Sequence, residues 1–138
     1  MLCSPGCRLL IIDDEEHITE AVNDYFTILG YLVDCAQDEK TAIDLLNLFE
    51  YAAVITDLRL SGCNRIEGLD LIERARAKHP LAACIVLTAY GDAENENEAR
   101  RRGADLLLQK PAPLGVLAER LAEILGGARV RSHPDDFP

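Results

Sequence analysis

Five short apolar runs punctuate the chain: RLLII (8–12), YLVDC (31–35), YAAVIT (51–56), ACIVLTA (83–89) and ADLLLQ (104–109). Each is followed by a longer stretch with the spacing of an amphipathic helix. Continuous apolar runs of this length read as strands buried on both faces, and such strands belong to parallel sheets covered by helices. The chain is therefore a βα unit repeated five times. Crossovers between parallel strands are right-handed, so an open sheet of this kind becomes a doubly wound α/β fold. Its ligand site lies beyond the carboxyl ends of the strands.

The helical stretches are specified unevenly. Residues 15–29 put Ile18, Val22, Tyr25 and Leu29 on one stripe, with Asp14 placed to cap the helix and Gly30 to end it. Asp38 opens a second helix with Ala42, Leu45, Leu46 and Phe49 facing inward. The loop DLRLSGCNRIEG (57–68) leads to a third, with Leu69, Ile72 and Ala75 on its inner face and His79-Pro80 as its stop. The fourth, GDAENENEARRR (91–102), offers only Ala93 and Ala99 as apolar surface. Leu114, Leu117, Leu121, Ile124 and Leu125 make the last, closed by Gly126-Gly127. One domain over 8–127 follows, with 1–7 and 128–138 as flexible ends or a linker stub.

Composition narrows the function. The 138 residues suit one domain, and the absence of Trp makes the core aliphatic. A formal charge of −10 argues against a reader of nucleic-acid phosphates. The RRR at 100–102 sits where cations complement a helix dipole and does not reverse this. The five cysteines (3, 7, 35, 63 and 84) have neither a disulfide framework nor zinc spacing, which suits a reducing cytoplasm. Cys35 and Cys84 fall within strands as small core residues. No stretch has the length of a membrane span or the shape of a signal peptide.

The polar residues at the strand ends form a pattern. Asp13 and Asp14 end the first strand, Asp57 the third, Thr88 the fourth and Lys110 the fifth. Each has an ordinary structural role when taken alone: a helix cap, a turn residue, a β-branched strand residue, a solvated lysine. With the first and third strands adjacent, all five meet at one rim. Three clustered carboxylates repel one another and call for a cation. A hard divalent ion with oxygen ligands answers that need, and Mg²⁺ is the usual one beside phosphate chemistry.

These motifs, DD at 13–14, TDLRL around Asp57, LTA with Thr88 and QKP with Lys110-Pro111, resemble the receiver domain of two-component response regulators. The resemblance runs over roughly residues 8–127 and implies a flavodoxin-like (βα)₅ fold with strand order 2-1-3-4-5. It implies that Asp57 accepts a phosphoryl group from a phosphohistidine. Asp13, Asp14, Asp57 and the Arg59 carbonyl would hold Mg²⁺. Thr88 and Lys110 would bond phosphoryl oxygens, and the Lys110-Pro111 peptide would be cis. The implied partners are a sensor histidine kinase or phosphotransfer protein, an output domain or separate target, and a second copy in a homodimer. The implied chemistry is self-catalysed phosphotransfer and autodephosphorylation at Asp57, not that of an independent enzyme.

The chain also departs from the family pattern. Leu60-Ser61 stands where Met-Pro is usual, and the glycine before the third helix, Gly68, comes eleven residues after Asp57 instead of eight. That places about three extra residues, Cys63-Asn64-Arg65 or their neighbours, beside the site. Leu107 occupies a position that is often Tyr or Phe, and Ala112 one that is often Phe. Arg59 and Tyr90 flank the expected path of attacking water and become candidate modulators of phosphoryl lifetime. Two competing classes fit less well. A haloacid-dehalogenase-type phosphatase wants Asp-x-Asp after the first strand, and nucleotide folds want a glycine-rich first loop, which IIDDEEHIT lacks. A phosphorylation-independent interaction module on the same fold stays open at this point.

Overall fold

The computed structural model describes residues 7–58, 67–88 and 93–130. Strands β1 (Arg8–Ile12), β2 (Leu32–Ala36), β3 (Ala53–Asp57), β4 (Ala83–Thr88) and β5 (Leu106–Gln109) alternate with helices α1 (Glu16–Ile28), α2 (Glu39–Leu48), α3 (Glu67–Lys78), α4 (Ala93–Arg102) and α5 (Leu114–Val130). The strands form one parallel sheet in the order β2-β1-β3-β4-β5. This is the doubly wound arrangement read from the sequence.

Side chains alternate across the sheet with period two, and this divides the core into two layers. Leu10, Ile12, Val54, Cys84 and Val86 pack towards α2, α3 and α4, against Leu46, Leu71, Ile72 and Ala99. Leu9, Ile11, Ile55, Ile85 and Leu87 pack towards α1 and α5, against Val22, Phe26, Leu117 and Leu121. The central strands β3 and β4 are buried along their whole length. The edge strands are only partly covered. Burial holds the Cys84 thiol protonated, pushing it up to about 11, so it behaves as a small core residue.

Several local expectations are corrected. Asp14 is not the cap of α1. Glu15 takes the cap position without a side-chain bond, and Asp13 Oδ1 instead accepts the Glu15 N–H at 3.0 Å. Val22 and Phe26, four apart, anchor α1, while Leu29 falls beyond the last helical residue and is half-exposed. Phe49 likewise follows α2 rather than facing inward from it, and lies under the Arg8 guanidinium at 4.3 Å. Gly126-Gly127 does not end α5, which continues to Val130. The physical reason is backbone sign. Gly30 and Gly103 stop helices with φ of 103° and 121°, and among the described residues no other glycine has positive φ. Gly68 is the second residue of α3, not a residue before it. Asp38 does cap α2, accepting the Thr41 N–H at 2.7 Å, and that bond holds its carboxyl below the usual carboxylate range.

Candidate functional site

The topology brings the strand-end residues together. β1 and β3 are neighbours with Ile12 opposite Thr56, so Asp13, one residue past β1, stands beside Asp57, the last residue of β3. The adjacency of β1 and β3 with helices on opposite faces is the switch point where doubly wound sheets open a crevice. On the other side, β4 and β5 pair Thr88 with Gln109. The Lys110 N–H then donates to the Thr88 carbonyl at 2.8 Å, which turns Lys110 onto the rim.

Lys110 spans the two buried acids. Its Nζ lies 3.0 Å from Asp57 Oδ2 and 3.3 Å from Asp13 Oδ2. Asp13 is almost wholly buried and Asp57 nearly so, while Asp14 is exposed. Burial alone would lower the Lys110 pKa. The hydrogen bond and charge of Asp57, with those of Asp13, outweigh it and hold the ammonium above its ordinary value. The Asp14 carboxyl is pushed up, first by partial burial and then by the Asp13 charge.

Carboxylate oxygens of Asp13, Asp14 and Asp57 all lie within 4.8 Å of one another. Lys110 neutralises only part of that charge. An all-oxygen donor set that remains anionic fits a hard divalent cation. The Lys110-Pro111 peptide is cis, as the resemblance implied. Arg59 and Tyr90 lie outside the described residues, as do the loop at 59–66 and the ends at 1–6 and 131–138.

Three features were not anticipated from sequence. Thr88 is buried, and its hydroxyl donates to Glu96 Oε2 on α4 at 3.1 Å. Nothing in the sequence alone pairs these two residues, eight apart. The second feature is Gly68. A Cβ there would stand 2.5 Å from the Asp57 carbonyl oxygen and 2.8 Å from Leu58 Cα, so the first turn of α3 rests directly on the end of β3. Its eleven-residue offset from Asp57 marked the glycine, not this contact. The third is a groove of about 490 Å³ beside Lys110 and Pro111, walled by Ile18, Ala21, Leu114 and Leu117 of α1 and α5. Leu107 is half-buried and packs in the same layer as Ala99 of α4.

With this geometry in place, comparison with known proteins is specific. The response regulator receiver domain family matches residues 9–122. The transcriptional regulatory protein QseB of Haemophilus influenzae is 31% identical over 118 residues, covering 86% of this chain and 52% of QseB. The chain thus spans about half the length of that relative. A CheY-like receiver domain protein of Methanospirillum hungatei superposes with a TM-score of 0.83 at 24% identity, over 91% of this chain and 98% of that one. A Burkholderia pseudomallei response regulator, crystallised with a phosphorylated aspartic acid, calcium ion and citrate, superposes with a TM-score of 0.78. It is 26% identical and covers 96% of this chain and 76% of its own. Among the described residues no helix is long and apolar enough to cross a membrane.

Proposed function

The chain belongs to the response regulator receiver domain family, and from that membership we propose that it is a phosphoacceptor whose acceptor is Asp57. The observation that carries this reading is Lys110 Nζ bridging Asp57 and Asp13 at 3.0 and 3.3 Å, inside a cluster of three carboxylates.

The chemistry needs little more than alignment and charge. An Asp57 carboxylate oxygen attacks the phosphorus of a partner's phosphohistidine. The N–P bond breaks, its electron pair returns to the imidazole nitrogen, and an acyl phosphate forms on Asp57. Lys110 stands where it can neutralise a phosphoryl oxygen as charge builds. Asp13, Asp14 and Asp57, with the Arg59 carbonyl, would hold Mg²⁺, which when bound offsets the charge of the transferring group. The Burkholderia regulator, carrying both a phosphorylated aspartic acid and a calcium ion, supports this assignment. Loss of the group occurs when water attacks phosphorus and the P–O bond to Asp57 breaks, regenerating the carboxylate. Arg59 and Tyr90 are proposed to retard that water, and an unchanged dephosphorylation rate in the Arg59→Ala/Tyr90→Ala double variant would refute their role.

The partner is proposed to be a sensor histidine kinase or phosphotransfer protein in the cytoplasm. The apolar groove between α1 and α5 opens beside Lys110 and offers a helix from such a partner a place to lie. Output passes to a further domain or a separate protein, since QseB, which this chain matches over 52% of its length, is a longer regulator. Intact mass after incubation with acetyl phosphate tests the acceptor. One phosphoryl group is expected on the wild type with Mg²⁺, and none on Asp57→Asn or without Mg²⁺. A wild type that gains nothing from either acetyl phosphate or a cognate phosphohistidine would overturn the reading and favour a phosphorylation-independent interaction module.

A further inference from the structure

We propose that Glu96 is a positioning residue for Thr88: it holds the Thr88 hydroxyl on α4 while Asp57 is unmodified, and phosphorylation of Asp57 competes that hydroxyl away. This inference rests on the phosphoacceptor reading above.

The starting point is the hydrogen-bonding capacity of one atom. A threonine hydroxyl has a single proton to donate. In the structure that proton goes to Glu96 Oε2 at 3.1 Å, and Thr88 is buried away from water. A carboxylate acceptor makes this a charge-assisted bond, stronger than one to a neutral oxygen. A phosphoryl oxygen on Asp57 offers the same kind of acceptor from the neighbouring strand. Thr88 cannot serve both. Making the bond to phosphate breaks the bond to Glu96, and the added negative charge on the rim also disfavours the Glu96 carboxylate there.

The element that Glu96 belongs to is suited to respond. Among its described residues only Ala99 is buried, so moving α4 forfeits little apolar contact. Its ties to α3 are ion pairs from Arg102 to Asp70 and Glu73, both exposed carboxylates. Leu107, on the adjacent strand, carries no hydroxyl and no ring. A polar or aromatic relay through that position is closed, whereas Thr88 reaches α4 directly through Glu96. The Thr88–Glu96 bond thus couples the occupancy of Asp57 to the position of α4.

The experiment uses the full chain, with acetyl phosphate and Mg²⁺, and measures phosphoryl uptake together with amide hydrogen exchange along α4. In the wild type, phosphorylation is expected to speed exchange in α4. Glu96→Ala frees the Thr88 hydroxyl in advance. It is expected to take up phosphate several-fold faster and to show rapid α4 exchange before phosphorylation. Glu96→Gln keeps the size and one acceptor oxygen without the charge, so it should move both readouts in the same direction but less. The decisive comparison is the Thr88→Ala background, where Glu96→Ala should no longer change the uptake rate, because its effect passes through Thr88. Normal uptake with the wild-type rate in both Glu96 variants would overturn this proposal and leave the phosphoacceptor intact. So would an equal effect of Glu96→Ala with and without Thr88. Loss of thermal stability without any change in uptake would show a merely structural contact and also overturn it. No uptake in the wild type would instead defeat the phosphoacceptor reading itself.

Discussion

Helices α3 and α4 lie side by side on the same face of the sheet, yet they are held by different forces. α3 buries Leu69, Leu71, Ile72 and Ala75, and its Arg76 donates to the Ala82 and Gly103 carbonyls and to Asp105. α4 buries Ala99 and carries mostly Glu, Asn and Arg. One helix is fixed by apolar area and a set of partly buried polar bonds, the other by a few polar contacts at its surface. The rim divides in the same way. Asp57 leans on α3 through Gly68, and Thr88 is tied to α4 through Glu96. A rigid support under the proposed acceptor Asp57 and a loose one under Thr88 is what the proposed switch requires, because a signal can only move what is cheaply moved.

The contrast is broken most severely by emptying the α3 core. Ile72→Ala leaves a cavity among fully buried neighbours and is expected to cost about 3–4 kcal/mol, read as a lower denaturation midpoint. No truncation in α4 should approach it. If Ile72→Ala proves nearly neutral, α3 is no better anchored than its neighbour.

Gly68→Ala comes next and acts on the site as well as the fold. The new methyl meets backbone atoms of Asp57 and Leu58, which cannot rotate aside, so α3 or the end of β3 must shift. A cost of about 2 kcal/mol is expected from overpacking, together with slower phosphoryl uptake at Asp57. Retained stability with unimpaired uptake would show that the contact is not rigid.

Much of this architecture can be read from residue order, and the parts that cannot share a cause. The strands were legible because each is a continuous apolar run, and the rim because polar residues end those runs in a sheet of known handedness. Asp57, Asp13 and Lys110 meet for that reason. What escaped depends on geometry that periodicity does not contain. A stripe of Ile18, Val22 and Tyr25 extends as readily to Leu29 as to Phe26, and only the packing of α1 on the sheet favours Phe26. Gly30 and Gly126 look alike in sequence, but only the first adopts the left-handed backbone that ends a helix. Asp13 rather than Asp14 bonds the start of α1, a choice set by how the chain leaves β1. Glu96 could be found only once α4 was placed against the end of β4.

In α4, Ala99→Gly is the sharpest test of how little the helix depends on burial. Removing the methyl of its buried alanine and loosening the backbone is expected to cost about 1 kcal/mol globally. Hydrogen exchange within α4 should rise much more than exchange in α3. Equal acceleration in both helices would mean that they open as one unit and that the division proposed above is wrong.

The smallest effect concerns the ionic fastening between the two helices. Arg102 Nε lies 2.8 Å from Glu98 Oε2, and its Nη1 reaches Asp70 at 3.1 Å and Glu73 at 3.4 Å. The hydrogen bond from Arg102 keeps the Glu98 carboxyl below its ordinary value. A depressed carboxyl contributes stability that is present above its unfolded value and lost as pH falls through the folded one. These groups are solvated, so Arg102→Ala should barely change the global midpoint. It should still speed α4 exchange at low ionic strength. In about 1 M salt the screening length shrinks to roughly 3 Å, and the wild type should then exchange like the variant. A difference that survives high salt would mean that the aliphatic stem of Arg102, not its charge, holds α4 against α3. The looser half of the switch would then be fastened by packing after all, and the phosphoryl group would have more to overcome.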